Sequence, residues 1–196
     1  NMTDMIWVGR VGYRAVAAVG TAGFFTWLAM AFILIPKIGA EVGVAQSVGN
    51  QDIKEAKIYI KHSLQMIVGL ALLYALILII FRKPLIGFFN LKEPDIIQNA
   101  INYLFIISFG LIFYFINPIF TAIFNGYGES RTPFIINSIG LLVNMVLDPI
   151  LILGLGPIPR LEVAGAAIAT VIAQAVVTGV FIINAKERPE LFSGLN

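Results

Sequence analysis

The chain has 196 residues, of which 59% are hydrophobic and 12% charged, and it carries a net charge of +2 with no cysteine. This charged fraction is about half that of a soluble domain, and the small net charge argues against a nucleic-acid partner. The absence of cysteine excludes a disulfide framework and a Cys-ligated metal site. The apolar residues come in blocks as long as a bilayer is thick, roughly 20 helical residues, which predicts an all-α polytopic transmembrane bundle.

Polar, Gly- and Pro-containing breaks divide the chain into the helices of a single membrane domain over residues 1–196. The first helix is represented only by its end, and five full spans follow. No block shows the period-two alternation of a β-strand, and "LIGFFNLKEPD" is expected to lie on the membrane surface. The predicted helices are the end of helix 1 at 1–9, helix 2 at 12–47, helix 3 at 53–81, helix 4 at 96–125, helix 5 at 132–154 and helix 6 at 163–186. Lysine and arginine divide evenly between alternate loops, so the positive-inside rule does not orient the chain.

Polar residues recur at helical spacing within the last three apolar blocks. Each set falls on one face of its helix, which is typical either of a shared water-filled cavity or of hydrogen bonding between packed helices. The sets are Asn117, Thr121 and Asn125; Asn137, Asn144 and Asp148; and Thr170, Gln174 and Thr178.

Asp148 lies in the middle of the apolar run "LLVNMVLDPILILG". A carboxylate at bilayer depth costs about 2.5–3.5 kcal/mol on insertion scales, and intramembrane acids generally belong to ion or proton pathways. Pro149 cannot donate to the carbonyl of Met145, so a kink or opening is expected there, as at many transporter binding sites. The alternative is a buried structural salt bridge, which would require a basic partner nearby.

Lys37 and Glu41 are one helical turn apart in "IPKIGAEVGVAQ". They could neutralise each other as a simple ion pair, or form a gate or a charged contact with a substrate. His62 is the only histidine and is expected at the membrane interface. The sequence contains no motif typical of a metalloprotease, a serine hydrolase or a phosphate-binding loop, which favours a non-enzymatic function.

Several motifs in chain order resemble the MATE family, the multidrug and toxic compound extrusion transporters. "NMTDMIWVGRVGYRAVAAVG" is similar to the end of the first helix and the start of the second. "VAQSVGNQDIKEA" and "FNGYGESRTP" are similar to later loops, and "LVNMVLDPILILG" followed by "VAGAAIATVIAQ" resembles the fifth and sixth helices. The segment with Lys37 and Glu41 departs from the family pattern, which has small neutral residues there.

The resemblance implies one lobe of a transporter built from two six-helix lobes around a central cavity, with the second lobe as its partner. Such proteins reside in the cell membrane and export organic, often cationic, compounds in exchange for Na⁺ or H⁺, with no cofactor. The residues that match the coupling site, a candidate Na⁺ site, are Asp4, Asn144, Asp148 and Thr170. The candidate substrate-cavity residues are Asn117, Thr121, Asn137 and Gln174.

Three alternatives remain open from the sequence. A lipid-linked oligosaccharide flippase of the same superfamily would be expected to have a more cationic cavity. An intramembrane enzyme would require a paired-Asp, Ser/Lys or His-based site, and Asp4 with Asp148 could mimic such a pair. A non-transporting membrane scaffold would tolerate loss of the Asp148 carboxylate.

Overall fold

The computed structural model describes residues 2–155 and 159–193. Within these ranges the chain is helical with no β-strand, so the predicted all-α class is confirmed. Asn1, part of the predicted first helix, lies outside the described residues. The helices are α1 Met2–Val11, α2 Tyr13–Gly49, α3 Ile53–Gly87, α4 Pro94–Gly126, α5 Arg131–Leu153, α6 Glu162–Lys186 and α7 Pro189–Phe192.

Most of the helix ends lie within two residues of the predicted positions, and the end of α3 differs most. α3 continues past 81 through Pro84 to Gly87, so the first part of the expected surface loop is helical. Near this end, Arg82 donates from Nη1 to the Ile79 carbonyl at 2.5 Å, and its guanidinium lies 4.8 Å from the centre of the Phe105 ring on α4. The contact with Phe105 joins the last turns of α3 to α4, and the helix continues past the basic pair and the proline.

α5 runs through Pro149 and ends at Leu153, followed by Gly154 in the left-handed conformation with φ of 73°. A glycine at this position is a common helix terminator because it has no Cβ to clash there.

Five of the helices, α2 to α6, are long and apolar enough to cross a membrane. The longest, α2, has 37 residues and therefore extends for about 55 Å, well beyond a hydrocarbon core of about 30 Å. Large apolar side chains such as Trp27, Ile35 and Leu72 are exposed on the outside of the bundle, where lipid would cover them. The chain is therefore a multi-pass integral membrane protein.

α4 lies at the centre of the bundle and packs against α2, α3 and α6. α5 packs mainly on α6, and the short α1 fits against α5 and α2. At the α5–α6 contact, a Cβ added to Gly165 would lie 2.4 Å from the Leu151 carbonyl oxygen. Only a residue without a side chain permits this approach, which is a common way to bring membrane helices together.

Polar contacts tie the helices together at both ends of the bundle. At the end that we call the Arg14 end, the Arg14 guanidinium forms ion pairs with Glu93 at 2.7 Å and Asp95 at 3.3 Å. At the opposite end, the Glu129 end, Arg188 pairs with Glu129 at 2.7 Å. Solvent-exposed pairs contribute at most about 1 kcal/mol each, so helix packing provides most of the stability.

Candidate functional site

Four residues predicted as an ion-coupling site lie together between α1, α5 and α6. The Asn144 amide Nδ2 donates to Asp148 Oδ1 at 3.0 Å, and the Thr170 hydroxyl donates to Asp4 Oδ2 at 3.1 Å. The Asp4 and Asp148 carboxyl groups interact directly with each other, which joins the two pairs. We call these four residues the acidic site.

The helix packing explains why the acidic site forms. Asn144 and Asp148 are one turn apart, so both point from the same face of α5. That face packs against α1, which carries Asp4, while α6 brings Thr170 to the other side. Asp4, Asn144 and Asp148 are each at most 1% exposed.

Two buried carboxyl groups in contact require a positive charge or a proton between them, because neighbouring like charges out of water repel strongly. The Asp148 Oδ2 atom is buried and has no hydrogen-bond donor among the described residues. Carboxylate, amide and hydroxyl oxygens are hard ligands, suited to a proton or an alkali cation. Within the described ranges, no three His, Cys, Asp or Glu side chains are grouped to hold a metal ion.

A small cavity of about 80 Å³ opens beside the acidic site. Asp4 and Thr170 line it together with Thr26, Tyr103 and Tyr114. Because one water occupies about 30 Å³ of liquid, the cavity has room for an ion with one or two waters. At this volume it is several times smaller than the pockets that bind drug-sized molecules, which measure roughly 300–1,000 Å³.

Sequence reasoning missed the tyrosines on α4. Tyr103 is 5% exposed and close enough to Asp4 and Asp148 to interact electrostatically with both carboxyl groups. Tyr103 and Tyr114 lie on the same face of α4 as Asn117 and Thr121, at the helical spacing already seen for the polar stripe. Extending that stripe towards the start of α4 would have identified them.

A second, larger cavity of about 260 Å³ lies closer to the Glu129 end. All four residues predicted to line a substrate cavity do line it, together with Lys37 and an apolar part of α2. Tyr114 and Gln174 line both cavities and therefore stand between them. The predicted cavity residues are Asn117, Thr121, Asn137 and Gln174.

Lys37 and Glu41, the predicted gate pair, do not form a salt bridge with each other or with any other residue in the described part of the chain. Both side chains are half-buried on α2, and Lys37 lines the larger cavity whereas Glu41 does not. The gate role of this pair stays a prediction.

The MatE family model matches residues 1–150, which is most of the chain. The chain belongs to the MATE family. MATE proteins are transporters and not enzymes, so the alternative of an intramembrane enzyme is dropped. The same match covers α1 and α5 up to Ile150, and it therefore includes three of the four acidic-site residues.

Individual MATE relatives agree with this assignment. The chain is 29% identical to the probable multidrug resistance protein NorM of Thermotoga maritima over 200 residues, covering 100% of the chain and 42% of that protein. It is 27% identical to the FAD transporter of Shewanella oneidensis, covering 87% of the chain and 37% of that protein. A crystal structure of MATE in the bent conformation superimposes with a TM-score of 0.85 at 26% identity, covering 92% of the chain and 39% of that structure. The chain thus spans about two fifths of the length of these relatives.

A buried hydrogen-bond network centred on Asn117, which is 3% exposed, lies beside the larger cavity. Asn117 Nδ2 donates to the Gln174 side-chain oxygen at 2.7 Å, and Asn117 Oδ1 accepts from the Thr178 hydroxyl at 2.7 Å. The network joins α4 to α6.

Replacing Asn117 with alanine is expected to lower the free energy of unfolding by about 1–3 kcal/mol, because Gln174 and Thr178 lose partners in a buried place. Thermal unfolding of the purified protein in detergent measures the effect. Asn184→Ala is the matched control, since the Asn184 amide donates to Val180 O within its own helix at 2.9 Å and joins no second helix in the described part of the chain. Equal destabilisation by the two substitutions would contradict the role of the network.

Proposed function

We propose that this chain forms the ion-coupling and substrate-binding lobe of an exporter that moves small organic compounds across the cell membrane in exchange for Na⁺ or H⁺. The observation that carries the proposal is the pair of contacting, fully buried carboxyl groups, whose small cavity shares Tyr114 and Gln174 with a larger cavity of about 260 Å³. The volume of the larger cavity is close to the lower end of the range for small-molecule sites, roughly 300 Å³. A structural scaffold has no need for two acids in contact at this depth, because neutral residues would pack there at lower free-energy cost.

The mechanism follows from the chemistry of the acidic site. When the site is empty, two charged carboxylates repel each other, and binding of a proton or Na⁺ removes that repulsion. Loading therefore favours a conformation in which α1 and α5 approach more closely, and unloading favours one in which they separate. Coupling arises because the two states have different affinities for the ion, which is the requirement for a ligand to shift a conformational equilibrium.

The shared residues Tyr114 and Gln174 give the coupling a physical route. A change in the position of α1 or α6 at the acidic site alters the smaller cavity, and the same two side chains form part of the wall of the larger one. Alternating access would then combine this change with a rearrangement against a second lobe. The matched relatives contain more than twice the matched length, which supports a second lobe in the working transporter.

The cargo is a small molecule in this proposal. One relative is named a multidrug resistance protein and another a FAD transporter, and these names favour small-molecule transport over the lipid-linked oligosaccharide flippase. FAD carries a pyrophosphate and is an anion at neutral pH. Family membership therefore does not restrict the cargo to organic cations.

The test is transport by the natural protein that carries residues 1–196, reconstituted in vesicles. Efflux of fluorescent organic cargo is measured under an imposed Na⁺ gradient without a pH gradient, and then under the reverse condition. We expect one gradient to accelerate efflux and an ionophore that dissipates it to remove the acceleration. Efflux at the same rate under both gradients and under neither would overturn the proposed coupling.

A further inference from the structure

Lys37 is the one charged side chain among the described residues that line the larger cavity. It is half-buried and lies about 18 Å along α2 from the C-terminal end of that helix. A lysine within the apolar part of a membrane helix is costly, by about 2.5–3.5 kcal/mol at the bilayer centre, and such residues generally mark a binding site or pathway.

No acid within the described part of the chain neutralises Lys37. Glu41 is the nearest acid along the helix and makes no ion pair with it, and the ion pairs present lie elsewhere. Asp4 lines only the smaller cavity, and Asp148 pairs with Asn144. The positive charge therefore faces the space in which a ligand would lie.

The rest of the cavity wall is apolar on one side and polar but neutral on the other. Met30, Ile33 and Leu34 precede Lys37 on the same face of α2, one to two turns away. A ligand with an apolar body about 5–10 Å from an anionic group would place the body against these residues and the anion at the ammonium group.

Cavity size favours this ligand class over an organic cation held by the acidic site. The cavity beside the acids holds about 80 Å³, which suits an ion but not an organic molecule, whereas the cavity with Lys37 holds about 260 Å³. An organic ligand is therefore expected in the larger cavity, where the charged side chain is the cation Lys37.

We propose that the larger cavity binds an amphipathic organic anion, with a carboxylate or phosphate group paired to Lys37. This inference rests on the proposed export function and names its substrate class. It differs from the cationic compounds that the family resemblance leads one to expect.

Equilibrium binding to the purified natural protein in detergent tests the inference separately from transport. Carboxyfluorescein, an aromatic anion, and ethidium, an aromatic cation, serve as probes, and fluorescence anisotropy gives each Kd. Lys37→Gln is expected to weaken carboxyfluorescein binding about tenfold or more, because a charge-assisted contact is lost, and to leave ethidium binding unchanged or tighter. Lys37→Arg, which retains the charge, is expected to bind the anion nearly as well as the unchanged protein.

Lys83→Gln is the matched control, since Lys83 is exposed at the end of α3 and outside the cavity. The inference is overturned if carboxyfluorescein binds equally to the unchanged protein and to Lys37→Gln, or if it shows no saturable binding at all. If the unchanged protein binds carboxyfluorescein in a Lys37-dependent way but shows no gradient-driven efflux, the proposed coupling is refuted and the anion site is supported. If a gradient drives ethidium efflux but carboxyfluorescein binding does not depend on Lys37, the proposed coupling is supported and the anion site is refuted.

Discussion

Replacing Asp148 with asparagine is expected to abolish ion-coupled efflux, with a loss on the order of a hundredfold, the upper range of a typical coupling free energy. The substitution keeps the shape of the side chain, so the contact with Asn144 Nδ2 at Oδ1 can persist. It removes the carboxyl group whose charge state distinguishes the loaded from the unloaded site. The measurement is cargo efflux from vesicles under imposed Na⁺ and H⁺ gradients.

Related substitutions separate the coupling role from a structural one. Asp4→Asn should resemble Asp148→Asn, whereas Thr170→Ala should reduce coupling less, because it removes one neutral hydroxyl from the acidic site. Asp95→Asn makes the same chemical change at an exposed ion pair of the Arg14 end and should leave coupling intact.

The unfolding temperature is the second measurement for Asp148→Asn. Removing a costly buried charge should leave the unfolding temperature unchanged or raise it. A variant that couples normally would refute the ion-site role of Asp148. A variant that loses coupling because it melts much earlier would instead assign Asp148 a structural role.

Replacing Gly165 with alanine is expected to lower the free energy of unfolding by about 1–3 kcal/mol, the usual range for overpacking. The new Cβ would lie 2.4 Å from the Leu151 carbonyl oxygen and 2.9 Å from the Ile152 nitrogen. These are backbone atoms of α5, which cannot rotate away, so the two helices must separate. Unfolding in detergent, followed by tryptophan fluorescence, measures the change.

Gly179→Ala is the control on the same helix, because a Cβ at Gly179 has no heavy atom within 4 Å. It should leave stability unchanged or increase it by up to about 1 kcal/mol, the helix-propensity difference between glycine and alanine. Gly165→Ala should also weaken coupling, since the displaced helices carry Asp148 and Thr170. A Gly165→Ala protein as stable as Gly179→Ala would show that the α5–α6 contact is not close-packed.

On physical grounds, the sequence predicted the helical class and placed three of the four acidic-site residues, Asn144, Asp148 and Thr170, on polar helix faces. An apolar block of bilayer length has few other interpretations, and a carboxylate inside it has few structural explanations. Asn144 and Asp148 follow directly, because residues one turn apart share a helix face. Asp4 was assigned to the site through the family resemblance, because no polar stripe of its own helix marks it as buried.

The position of Lys37 and the proximity of Tyr103 to the acidic site depend on contacts between helices, which the periodicity of a sequence does not describe. The spacing of Lys37 and Glu41 permits an ion pair, but the side chain of Lys37 lines the cavity instead. Tyr103 was missed because a tyrosine in an apolar helix is most often packed in the core or at the membrane interface. Only the packing of α1 and α5 on α6, which itself packs on α4, brings two carboxyl groups within the electrostatic range of Tyr103.

Because α2 is long, a small tilt moves its two ends much further than its middle. The helix has 37 residues, so a tilt of about 10° about its midpoint moves each end by roughly 5 Å while the middle hardly moves. Small angular changes near the acidic site would therefore produce their largest displacements at the two membrane surfaces. In the alternating access that we propose, such a tilt of α2 would change access to the cavity from one surface to the other and would keep the contacts among Asp4, Asn144, Asp148 and Thr170.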